Sequence, residues 1–208
     1  MKRCTLIAVG ALIACCVVGH ANAEVIVPIG PFTGDLSEGF ETQPPGQFDV
    51  FLDVFGGQGI VQTVNGNAAI IVASSWSFFG TVFPYGGSYF MGSAGPAVEW
   101  IFSVPALSFG GYFTTNSGVN DAVASFFDAN GVPMGSLPVT APANNSWVWN
   151  GWTVIGGGPG IGRVVIDGNA FGGFIMHDDM EYTKIPAPGV LGLFAIGLGM
   201  ARRRRRTV

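Results

Sequence analysis

Apolar and polar residues alternate along most of this chain in short runs that Gly, Asn or Pro closes, the two-residue period of a half-buried β-strand. The runs fall at 48–55, 59–64, 68–72, 78–83, 98–104, 107–114, 123–128, 147–155, 161–167 and 173–182. Val98, Trp100 and Phe102 share one face of their run, with Ile101 on the other. Asn65-Gly66-Asn67 and the Asp-Ala-Asn-Gly segment at 128–131 tolerate positive φ, so both predict hairpin turns. No helical period runs through the middle of the chain. The pattern predicts an all-β fold over residues 24–184, an antiparallel two-sheet β-sandwich of jelly-roll type.

Composition sharpens this picture. Of 208 residues, 49% are hydrophobic and only 11% charged, with 33 Gly; a helical bundle needs more Lys, Glu and Arg on its surface. The net charge of −4 hides a segregation. All 13 acidic residues lie between Glu24 and Glu181, where Arg163 and Lys184 are the only nearby cations. The centre is therefore strongly acidic and repels nucleic acid.

Both ends carry address signals. Lys2 and Arg3 precede an apolar run at 4–18, and Ala21 and Ala23 flank a small-x-small cleavage site, so residues 1–23 predict a signal peptide removed by signal peptidase. The run is shorter than the ~20 residues of a membrane span. Leu12-Ile13-Ala14-Cys15 also has the form of a lipobox, which would make Cys15 a lipidated N-terminus. Cys4, Cys15 and Cys16 all lie in this leader, so a chain cleaved after Ala23 holds no disulfide and no Cys-ligated zinc. At the other end, residues 185–208 carry a Pro-x-Pro block at Pro186 and Pro188. An apolar run at 190–201 follows, then Arg202, Arg203, Arg204, Arg205 and Arg206. As a helix the run is about 18 Å long, short for a ~30 Å hydrocarbon core that snorkelling arginines help it reach. The arginines should stay on the cytoplasmic side, leaving the central domain outside.

This three-part tail resembles the PEP-CTERM sorting signal of Gram-negative exported proteins. The resemblance covers 185–206 and departs from the usual pattern at Ala187, where the family commonly has Glu. It implies an exosortase-type transpeptidase that recognises Pro186 and Pro188, transient anchoring in the inner membrane, and delivery to the cell envelope, cell surface or extracellular matrix. An ordinary single-pass anchor is the other reading of the same residues. Four further pieces, Gly39-Phe40-Glu41, the segments 109–114 and 126–131, and the closing 178–182, resemble the ectodomain common among such proteins. They also resemble galactose-binding-like jelly rolls and carbohydrate-binding modules.

Catalytic chemistry is scarce in the centre. His177 is its one histidine, expected at the surface on the edge of the last strand, and no Gly-x-Ser-x-Gly elbow accompanies it. The glycines at 156–162 lack the Lys-Ser/Thr ending of a phosphate loop. Two constellations remain. Glu38 and Glu41 near the start, with Asp178 and Asp179 near the end, would gather around a structural Ca2+ if first and last strands are neighbours; solvated surface charges are the alternative. Trp147 and Trp149 share a strand face, where they either stack on sugar rings or belong to the core. The sequence thus predicts no catalytic residues and no cofactor beyond that candidate calcium. It reads as a non-enzymatic exported surface or matrix protein, or alternatively as a carbohydrate-binding module for exopolysaccharide, possible calcium dependence included.

Overall fold

In the computed structural model the described residues are 24–48, 51–64, 69–73, 82–93, 97–115, 122–143, 145–168 and 174–186. The leader with Cys15, Ala21 and Ala23 lies outside them, as do the tail from residue 187 onward with Pro188 and Arg202 to Arg206, the 65–67 turn, and most of the run expected at 78–83. The described chain is all-β: β1 (Val25–Ile29), β2 (Leu36–Glu38), β3 (Gly46–Phe48), β4 (Leu52–Val54), β5 (Gly59–Thr63), β6 (Ala69–Ala73), β7 (Tyr89–Ser93), β8 (Ala97–Thr115), β9 (Ala122–Asp128), β10 (Pro133–Val139), β11 (Val148–Ile155), β12 (Ile161–Asp167) and β13 (Ile175–Lys184). No helix among the described residues is long and apolar enough to cross a membrane.

All the strand pairs are antiparallel, and β8 joins two layers. Its first half runs between β12 and β5, giving the order β10-β9-β12-β8-β5-β4; its second half runs between β11 and β13, giving β1-β11-β8-β13-β7-β6-β3. Two runs, at 98–104 and 107–114, were expected as separate strands, yet they form one. Pro105 does not end the strand because it falls among bulges: Ala106 and Ile101 face Ile161 and Arg163, and Ser108 and Ala106 face Thr183 and Lys184. The bulges also shift the inward phase from Val98, Trp100 and Phe102 to Phe109 and Phe113, so one strand lines both walls of the core.

The largest side chains buried in that core are mostly aromatic. Phe102 stacks on Tyr182 at 5.1 Å, Trp100 meets Phe109 at 5.3 Å, and Phe126 meets Trp152 at 5.3 Å. The Tyr182 hydroxyl donates to the Val104 carbonyl. β1, β2, β7 and β10 have no counterpart among the expected runs, and β3 shares only Phe48 with one of them. β10 carries Pro133, Gly135 and Pro138, which read as turn residues in sequence and suit an edge strand in the fold. The hairpin expected at 128–131 is present, its Asp128 Oδ1 accepting from the Asn130 and Val132 amides at 2.8 Å each.

Candidate functional site

One edge of β13 is shared by two strands: β7 pairs with Met176 and His177, and β2 with Met180 to Tyr182. In the gap between them β13 bulges, because Asp178 faces Tyr112 while Glu181 faces Gly110. Asp179 takes the extra position at φ 43, a left-handed conformation uncommon for residues other than Gly and Asn. The bulge places Asp179 on the same outer face as Glu181, with His177 and Met180 turned inward. The last strand thus neighbours β2, which carries Glu38, and not the first strand β1, which pairs with β11.

Over this gap lies an open groove of about 460 Å³. Phe32, Tyr85, Tyr112 and Trp149 supply rings to it, and Asp179 and Glu181 supply carboxylates. Trp149 lies across a glycine pair: a Cβ at Gly151 would stand 2.7 Å from its Nε1, and one at Gly110, directly opposite in the sheet, 2.9 Å from its Cζ2. Its Nε1 donates to the Ile29 carbonyl at 3.1 Å. Phe32 and Tyr112 stand nearly perpendicular to the indole, at 5.6 and 5.4 Å. Tyr85 stacks on Tyr112 at 3.6 Å and 17°. The hydrogen bond its hydroxyl gives to Tyr85, then burial, pushes the Tyr112 phenol up to about 12, so it stays a neutral hydroxyl.

The loops that carry Phe32 and Tyr85 are fastened by acids. Glu181 Oε2 accepts from the Gly34 amide at 2.7 Å, and Asp35 Oδ2 from the Lys184 amide at 2.9 Å, which ties the 30–35 loop to β13. Asp178 Oδ2 accepts from the Tyr85 and Gly86 amides at 2.7 and 3.1 Å. Glu41 Oε1 accepts from Ser88 and Tyr89 at 2.7 and 2.9 Å.

The sequence-predicted residues therefore divide. Trp149 and Asp179 line the groove. Trp147 does not: its Nε1 donates to the Phe83 carbonyl at 2.9 Å and its ring packs on Phe90 at 5.7 Å, bracing the foot of the Tyr85 loop. Glu38 is buried, and its two oxygens accept from the Phe40 and Phe55 amides at 2.9 and 3.1 Å. Those two phenylalanines hold φ 59 and 55, so the carboxylate fastens two left-handed turns. Burial raises the Glu38 pKa against those amides. Burial likewise pushes Asp178 up to about 7, while burial and then the Glu41 charge raise Asp179. Among the described residues no three acidic, His or Cys side chains form a metal-holding group. Glu38, Glu41 and Asp178 instead hold backbone amides.

His177 departs from expectation. It is fully buried, between Trp100 at 5.7 Å and Phe113 at 5.0 Å, because the inward phase of β13 carries it into the core. Among the described residues neither ring nitrogen has a hydrogen-bond partner, and desolvation lowers its pKa to about 3. Phe32, Tyr85, Tyr112 and Glu181 were not singled out in the sequence. Tyr112 was within reach, lying in the flagged 109–114 segment on the face opposite Phe109 and Phe113. Phe32 and Tyr85 sit on loops without periodicity.

Among solved structures, the chain is similar to the K2 cleaved adhesin domain of Lys-gingipain, with 16% identity, 71% of this chain and 98% of that one covered, and a TM-score of 0.49. It is also similar to TmCBM61, solved in complex with beta-1,4-galactotriose, at 18% identity, 71% and 95% coverage and a TM-score of 0.44. A third is the CBM22-1 xylan-binding domain from Paenibacillus barcinonensis Xyn10C, at 14%, 76% and 100%, and 0.39. Carbohydrate-binding modules thus stand among the structural neighbours. With TM-scores below 0.5, the function rests on the groove itself. No family model matches the sequence, and no curated protein does.

Proposed function

We propose that this chain is a non-enzymatic exported protein that binds a glycan in the groove over the β13 bulge. The observation that carries the reading is one open groove lined by Phe32, Tyr85, Tyr112 and Trp149 together with the carboxylates of Asp179 and Glu181. The apolar C–H face of a pyranose stacks on an aromatic ring, while its rim of hydroxyls needs acceptors such as carboxylates and phenolic oxygens. The volume falls in the range of small-ligand sites, about 300–1,000 Å³. Trp149 is held by its own hydrogen bond and its glycine seat, and the Tyr85 loop by Asp178 and Glu41. Such fixing lowers the ordering cost of binding.

Calorimetric titration of the full chain with soluble exopolysaccharides and plant β-glycans tests this. Binding that Trp149→Ala weakens by about thirtyfold, with the polysaccharide recovered at unchanged length, is the expected result; no binding to any glycan overturns it. Delivery belongs to the same proposal. The leader cut after Ala23 and exosortase-type processing at Pro186 and Pro188 would leave the sandwich at the cell surface or in the matrix. Mass spectrometry of the native protein should show both ends removed. A native protein still ending at Val208 would count against the sorting signal.

A further inference from the structure

Granting the glycan-binding reading, on which this rests, the charge of the lining selects among glycans. Asp179 and Glu181 are its charged groups, and no lining residue is cationic. Glu41 is close enough for its charge to act on Asp179, and Asp178 lies beneath the Tyr85 loop. Arg163, on β12 in the other layer, is tied to Glu99 at 2.7 Å and lies over the Phe127 ring at 3.8 Å. Lys184 lies three positions beyond Glu181 on β13 and is not part of the lining, while His177 is buried in the core.

Asp179 is the half-buried end of this imbalance. Its carboxylate sits between two backbone glycines: a Cβ at Gly39 would stand 3.1 Å from Oδ1, and one at Gly86 2.7 Å from Oδ2. Among the described residues it accepts no hydrogen bond, whereas Asp178 and Glu181 each accept from backbone amides. A half-buried carboxylate without a donor gains most from a ligand that brings a charged one. The rings act in the same sense, since the faces of tyrosine and tryptophan attract cations.

We infer that the groove prefers glycans whose sugars carry free amines, such as 2-amino-2-deoxyhexoses, over neutral glycans, and rejects those carrying uronic carboxylates. A protonated amine enters beside Asp179 and the Tyr85–Tyr112 stack, where a neutral sugar supplies only a hydroxyl. A uronate meets Asp179, Glu181 and Glu41 with like charge.

The test is calorimetric titration of the full chain, at about pH 6 and about 20 mM salt so that screening is weak. The probes are glucosamine hexamer, N-acetylglucosamine hexamer, cellohexaose and oligogalacturonate. The glucosamine hexamer is expected to bind about tenfold tighter than either neutral hexamer, a ratio worth one cation contact, and oligogalacturonate not at all. Asp179→Asn should bring that ratio close to one. Asparagine accepts positive φ, so the bulge survives, and an unchanged circular dichroism melt checks this. Raising salt in the unsubstituted chain should shrink the same ratio without any substitution. Equal affinity for amine and neutral hexamers, or tighter binding of the uronate, overturns the amine preference and leaves glycan binding standing. No binding of any probe or polysaccharide overturns the glycan reading, and this inference with it.

Discussion

β13 separates two aromatic clusters built from the same residue types and held in different ways. On its inner face Trp100 and Phe113 flank His177 and Trp100 packs on Phe109, fixed by packing alone, and among the described residues the Trp100 Nε1 and both His177 nitrogens go without partners. On its outer face hydrogen bonds join the ring packing: Trp149 donates to Ile29, and the loops bearing Phe32 and Tyr85 hang on Glu181 and Asp178. The core gives up hydrogen bonds for density, whereas the groove gives up burial to keep its rings presented and still. Substitutions inside should therefore change stability, and substitutions outside should change binding.

Trp100→Ala offers the strongest challenge to this division. Removing a fully buried indole that touches Phe40, Phe55, Phe109 and His177 should cost about 3–5 kcal/mol, enough to unfold a marginal domain in a urea titration. Trp149→Ala is the mirror experiment. Glycan affinity should fall by about thirtyfold, near 2 kcal/mol at a central aromatic contact, with a melt displaced far less than that of Trp100→Ala. Comparable loss of stability from both would erase the distinction.

The two faces should also oppose each other in pH. His177 has its folded pKa lowered to about 3 from 6.5, so it stays neutral while the unfolded chain takes a proton. Its contribution is whole above about 6.5 and lost as pH falls towards 3. Asp178 has its folded pKa raised from 3.8 to about 7, so its contribution is whole below 3.8 and lost as pH rises through 7. In melting curves from pH 4 to 8, His177→Leu should remove the acid-side decline and Asp178→Asn the alkaline-side decline. The same slope in variant and parent would mean that neither group titrates as its burial implies. The smallest effect is reserved for metal removal: with Glu38, Glu41 and Asp178 bonded to amides, chelator should move the melting temperature by less than about 1 °C.

Alternation made the central strands legible, because a two-residue period survives wherever one face is buried. It failed at β1, β2, β7 and β10, which are short or carry Pro and Gly at a sheet edge. In the groove, Trp149 was visible because β11 keeps its phase, while its companion Trp147 precedes the strand and braces a loop instead. The closeness of Glu38 to the last strand could be inferred from sandwich topology. What those carboxylates hold could not, since a bulge at Asp179 and amides on the 83–88 loop leave no periodic trace. His177 shows the same limit from the other side, a polar residue placed in the core by strand phase against its chemistry.

β13 is followed by Ile185, whose amide is bonded to the Pro105 carbonyl, and by Pro186. A pull on that end would load β13 along its own length, against its ladders with β8, β2 and β7 together. Ladders loaded this way must shear several bonds at once and cannot peel one by one. If the proposed glycan site and the proposed attachment through the tail both hold, the strand that carries Asp179 and Glu181 would bear the tension between them.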